Sequence, residues 1–159
     1  MVRDLGLRFK FPGDLWGVLA GLASQFVLLP VVYLIIQAFV ARDLTDDLEK
    51  PAHDLTDNAH GAGFFVLAVL LVIGAPLVEE LFYRGLLLRS LKRSLPVPVS
   101  VIVCGFVFGA AHFNLLTLPG LALFGMLLAY LSERSGRLGP NVIAHAAFNA
   151  ATVVLLWNA

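Results

Sequence analysis

Two adjacent carboxylates, Glu79 and Glu80, stand near the middle of this 159-residue chain and are followed by Arg84 in the order E-E-x-x-x-R. Glu80 and Arg84 are four apart, so they share one helical face, with the carboxylate N-terminal to the cation as an ion pair prefers. Glu79 points about 100° away around the same helix and has no local partner. Two further pairs lie downstream, Phe108 with His112 and His145 with Asn149, each spaced i, i+4. Both members of such a pair project from one face. Small residues lie between them (Gly109, Ala110 and Ala111, then Ala146 and Ala147), which lets another helix approach closely. A carboxylate supplies a base, imidazoles orient or move protons, and a neutral amide donates to an oxyanion. Together these groups suit attack of water on a carbonyl. The single cysteine, Cys104, has no evident partner, and the H-E-x-x-H spacing of zinc hydrolases is absent.

The elements that must position these groups follow from composition. Apolar residues make up 59% of the chain and charged ones 14%, with a mean hydropathy of +0.87, against about 45–50% and about 25% in soluble domains. This excludes a disordered chain, and the formal net charge of zero leaves no basic excess for nucleic acid. One cysteine excludes an internal disulfide framework. An integral membrane protein remains.

Charged residues divide the chain into apolar runs. Leu15 to Ala41 is 27 residues without a charge, and Gly61 to Val78 is 18 before the two glutamates. Ser94 to Ser132 is 39 residues with no Asp, Glu, Lys or Arg and with His112 as its one histidine, too long for a single span. Asn114, Pro119 and Gly120 mark its break. Leu138 to Ala159 is the last run, 22 residues entered through Gly139-Pro140. The expected fold is an all-α polytopic membrane helix bundle of about five transmembrane helices, because a lipid-facing backbone must satisfy its own hydrogen bonds. Residues 1–60 read as an anchor helix and a polar loop, and 61–159 as a catalytic helical core. The first run exceeds the 7–15-residue core of a cleavable signal, so it reads as a retained anchor. His53 and His60 read as solvated loop residues.

Lys and Arg distribution sets orientation. Arg3, Arg8, Lys10, Arg84, Arg89, Lys92, Arg93, Arg134 and Arg137 alternate onto one side, nine in all, against two on the other, Arg42 and Lys50. The N-terminus is therefore expected in the cytoplasm and the Asp43–Asp57 loop outside. Ionisable groups within spans are costly, and converging in one cavity is the cheapest arrangement for them.

The three motifs, in this order, resemble those of the CPBP intramembrane proteases. This family, also called Abi, groups type II CAAX prenyl endopeptidases with bacteriocin-processing and self-immunity proteins. The resemblance runs from Pro76 to about Thr152. It implies a membrane endopeptidase in a bacterial inner membrane, acting on a membrane-associated peptide or protein with the bilayer as its other partner. Glu79 and His112 would activate water, and His145 and Asn149 would stabilise the oxyanion. Glu80 counts with the active site, while Arg84 and Phe108 support it. The family is often termed metalloprotease. Glu79, His112 and His145 are the ligands if a divalent ion such as zinc is used, and a metal-free scheme needs no cofactor.

Two other classes compete. One is a non-catalytic membrane immunity or interaction protein of the same fold, which would tolerate Glu79→Ala. The other is an ion-coupled transporter, disfavoured by the lack of an internal repeat. Depth poses a further question. At 1.5 Å per residue, His145 lies roughly 8 Å in from Pro140 and His112 roughly 21 Å in from Pro98. Tilted helices, or a last helix that starts deeper, would bring them level.

Overall fold

The computed structural model describes residues 6–40, 43–44, 47–48, 50 and 61–157. His53, His60, Arg3, Arg42 and most of the Asp43–Asp57 loop lie outside the described residues. Among the described residues five long helices form: α1 Trp16–Val40, α2 Ala62–Leu91, α3 Val97–Ala110, α4 Leu118–Ser135 and α5 Gly139–Trp157. The architecture is the expected all-α bundle. Three helices, α1, α2 and α5, are long and apolar enough to cross a membrane. The 39-residue run yields less helix than its length implies, because Ser94–Pro96 and Ala111–Thr117 go into connections. Helix α3 keeps 14 residues, about 21 Å, short of the roughly 30 Å hydrocarbon core.

The break falls where Asn114 and Pro119 place it. Asn114 Oδ1 accepts from the backbone N–H of Leu116 at 2.9 Å and of Thr117 at 3.3 Å, and Pro119 stands in the first turn of α4. These bonds hold the turn that leads into α4.

Wide turns interrupt the two long N-terminal helices. Residues Ser24–Leu28 of α1 and Leu70–Gly74 of α2 are π-helical, and Pro30 and Pro76 each stand two residues beyond their turn. A proline ring clashes with the carbonyl four residues before it and offers no N–H. The wider turn moves that carbonyl away. A third π-helical stretch, Leu81–Leu87, begins directly after Glu80 and contains Arg84.

Small residues set the closest helix contacts. On α3, a Cβ at Gly109 would meet the Ala122 backbone nitrogen of α4 at 2.7 Å. Gly125 of α4 faces the Gly105 backbone and the Phe108 ring just as closely. On α1, Gly17 and Gly21 press against Pro140, Ala144 and Ala147 of α5. Packing at such distances drives helix association in lipid, where no hydrophobic force separates helix from solvent. Helix α2 runs between these two close pairs, with α5 along its first part and α3 and α4 along its last. Phe108, Phe124, Leu128, Ala144 and Phe148 form the core at the centre.

One end of the bundle gathers three chain segments. Lys92 Nζ pairs with Glu133 at 2.6 Å. Gly6 carbonyl accepts from the Leu138 backbone N–H at 2.8 Å, and Arg137 binds the Asp14 carboxylate. The N-terminal segment, the α2–α3 connection and the α4–α5 connection thus share this end, as the alternation of basic residues requires.

Candidate active site

Glu80 and Arg84 form the expected ion pair, Nη1 to Oε1 at 2.8 Å, and both side chains are fully buried. The Arg84 guanidinium also donates through Nη2 to the Gly125 carbonyl of α4 at 2.8 Å and lies 4.7 Å from the Phe108 ring centroid. Glycine at 125 is what lets α3 approach that backbone. The pair therefore ties α2 to α4 across the core.

Glu80 Oε1 accepts a second bond, from His145 Nδ1 at 3.0 Å. A carboxylate only accepts, so Nδ1 carries the proton, and in the neutral ring Nε2 is left as an acceptor. That nitrogen faces Glu79 Oε2 at 3.7 Å, beyond hydrogen-bond range. His145 thus stands between the two glutamates, one nitrogen towards each. Glu79 points off the Glu80–Arg84 face, its side chain 29% exposed and its Oε2 without a hydrogen-bond partner. The carboxylate left without a local partner in the sequence is the one the fold leaves available.

The two histidines flank Phe108. The His112 ring is 5.1 Å from the Phe108 centroid and the His145 ring 5.6 Å, both edge-to-face. His112 is exposed at the end of α3, and its Nδ1 donates to the Phe108 carbonyl at 2.9 Å. Its Nε2 is then the outward nitrogen. Glu79 meets His145, not His112, across the site. The depth difference is resolved at the start of α5: Leu138, Gly139, Pro140 and Asn141 are already buried, so the last helix begins inside the protein.

Asn149 occupies a place that the motif alone does not reveal. Its Nδ2 donates to the Leu71 carbonyl at 2.7 Å. That carbonyl is freed by the wide turn, because the Ala75 N–H bonds Leu70 instead, and the next donor position is Pro76. One amide N–H of Asn149 is therefore committed to backbone repair, and the amide carries two.

Sequence reasoning overlooked Asn141, fully buried and donating to the Leu128 carbonyl of α4. Its spacing of four before His145 was the available signal. Asp14, Phe124 and the Gly125 carbonyl carried none.

Among the described residues, no three His, Cys, Asp or Glu side chains gather to hold a metal ion. His145 commits Nδ1 to Glu80 and His112 commits Nδ1 to a carbonyl, which leaves each Nε2 open as in metal-bound imidazoles. It is the spacing of Glu79, His112 and His145, not gathered as three donors, that leaves them short of a ligand set.

No curated protein and no solved structure matches the chain. Residues 61–151 match the family described as type II CAAX prenyl endopeptidase Rce1-like, a stretch that holds all three motifs and α2 to most of α5. This 159-residue chain belongs to the Rce1-like family, a family of CAAX-protease-like membrane endopeptidases.

Proposed function

We propose that the protein hydrolyses a peptide bond in a membrane-associated substrate by activating water with Glu79 and His112, without a metal. The observation that carries this reading is His145, clamped by Glu80 at 3.0 Å and turned towards the partnerless oxygen of Glu79 at 3.7 Å. In this scheme Glu79 takes the proton of the attacking water, with His112 orienting that water through its outward nitrogen. The tetrahedral oxyanion is met by the second N–H of Asn149, and by His145 in its doubly protonated form, since its Nδ1–H is committed to Glu80. As the C–N bond breaks, Glu79 passes the water's proton to the leaving amine. Glu80 and Arg84 hold His145 in place and do not touch the substrate.

The test is cleavage of a farnesylated CAAX-type peptide by purified protein in liposomes, before and after exhaustive chelation. Rates are expected to agree within about twofold, since a glutamate base needs no ion. Loss of activity that zinc restores would overturn the metal-free scheme and make Glu79, His112 and His145 ligands.

Arg84 is buried within α2, so the remaining eight-to-two division of Lys and Arg supports a cytoplasmic N-terminus, in the bacterial inner membrane that the resemblance of the motifs implies. The native Cys104 is fully buried, so it gives little background in thiol labelling. A cysteine introduced at Asp54 is expected to react with a membrane-impermeant reagent in intact cells. Labelling only after lysis would reverse the orientation.

A further inference from the structure

The segment before α1 lies outside the stretch that matches the family, yet it is built onto the helix that carries His145 and Asn149. Asp14 is 1% exposed. Its Oδ1 accepts from Nε and Nη2 of Arg137, and its Oδ2 accepts from the Lys10 backbone N–H at 2.6 Å. Gly139, the first residue of α5, packs so tightly here that a Cβ would meet the Arg8 carbonyl and Asp14 Oδ2 at 2.5 Å. Leu138 is closed over completely, its N–H bonded to Gly6. A carboxylate beside the first turn of α5 also suits the positive end of that helix. From there Gly17 and Gly21 continue along α5 to Ala147, and Gln25 meets Thr152 at 3.3 Å.

We propose that Asp14 is a positioning residue of the active site: through Arg137 and the 6–15 segment it fixes the depth of α5, and so holds His145 between Glu79 and Glu80. Depth is what His145 needs. Its contact with Glu79 crosses from α5 to α2, and a slide of α5 by a fraction of a turn would end it. Burial pushes the Asp14 carboxyl up, but the Arg137 hydrogen bond, the Lys10 N–H and the two positive charges outweigh it and hold it below the usual carboxylate range. The clamp is therefore fully present at neutral pH and is lost only as pH falls through that lowered value.

The consequence for turnover rests on the peptidase reading, so the test has two arms on the full-length protein. In the first, Asp14→Asn and Arg137→Ala are expected to lower kcat about 10–100-fold on the farnesylated peptide, with KM within about twofold. Arg137→Lys should recover most of the Arg137→Ala loss. In the second arm, magnetic resonance of isotope-labelled histidine ring nitrogens reads the His145–Glu80 bond, and amide exchange reads residues 138–149. Both variants should shift the His145 signal and speed that exchange. If Asp14→Asn does not fold, Arg137→Ala and Gly139→Ala carry the same expectations. Unchanged exchange and an unchanged His145 signal in folded variants would overturn the proposal. So would altered signals with wild-type kcat. A wild-type protein that cleaves nothing would sink the peptidase reading, and the second arm would still decide the clamp.

Discussion

Glu79→Gln is expected to leave a folded protein with its peptidase activity lowered at least about 10²–10⁴-fold, the usual worth of a positioned general base, whereas Glu80→Ala is expected to lose the fold. The adjacent glutamates differ in what depends on them. Glu80 Oε1 receives both Arg84 at 2.8 Å and His145 at 3.0 Å, in a place with no solvent access. Removing it strands a buried guanidinium and an imidazole, and breaking a buried pair costs about 3–5 kcal/mol. That is a large share of the roughly 5–15 kcal/mol that holds an ordinary domain together. Glu79 supports no such pair. Its side chain is partly exposed and the His145 ring stands 3.7 Å away, beyond hydrogen-bond range, so an isosteric amide removes the base and little else. Thermal melting of the detergent-solubilised proteins, read beside the cleavage rate, separates the two. Equal destabilisation by both substitutions would refute the division of roles. A well-folded Glu79→Gln protein with wild-type cleavage would refute the base.

What the sequence made legible was local. The Glu80–Arg84 pair, the isolation of Glu79 and the shared face of His145 and Asn149 follow from helical spacing, and the fold contains each of them, whereas His112 stands just past the end of α3. The helix break at Asn114 and Pro119 follows from turn chemistry. What was not legible depends on how helices meet. Nothing in the spacing says that His145 lies between the two glutamates, since that contact spans 65 positions. Nor does run length give helix length: α3 is shortened because its flanks turn to join α2 and α4. The mismatch in histidine depth came from measuring α5 from an assumed surface. Its true start lies beneath the 6–15 segment, whose charges had counted only towards orientation. Asp14 holds that start, and an isolated acid before an apolar run carries no pattern that would announce it.

Asn149 shows how a local irregularity becomes part of a site, and it yields the second large effect. Pro76 forces the preceding turn of α2 wide; the Ala75 N–H then bonds Leu70, and Leu71 is left with a carbonyl that no backbone donor reaches. An unpaired carbonyl in an apolar interior costs about 1–3 kcal/mol, and Asn149 removes that cost with a 2.7 Å bond. Asn149→Leu, of similar volume, is therefore expected to lower stability by about 1–3 kcal/mol. If its second N–H serves the oxyanion, turnover should also fall about 10²–10³-fold. The two losses can be separated. In a π-helical turn the N–H of residue 76 points at the carbonyl of residue 71, so Pro76→Ala would supply the missing donor without Asn149. The double variant Pro76→Ala, Asn149→Leu is expected to regain most of the lost stability, with its melting point near that of Pro76→Ala alone, while remaining as slow as Asn149→Leu. Recovery of activity along with stability would show that Asn149 acts only by repairing α2, and would remove it from the oxyanion site. If Asn149→Leu melts like the wild type, the Leu71 carbonyl finds another donor and the account of the wide turn fails.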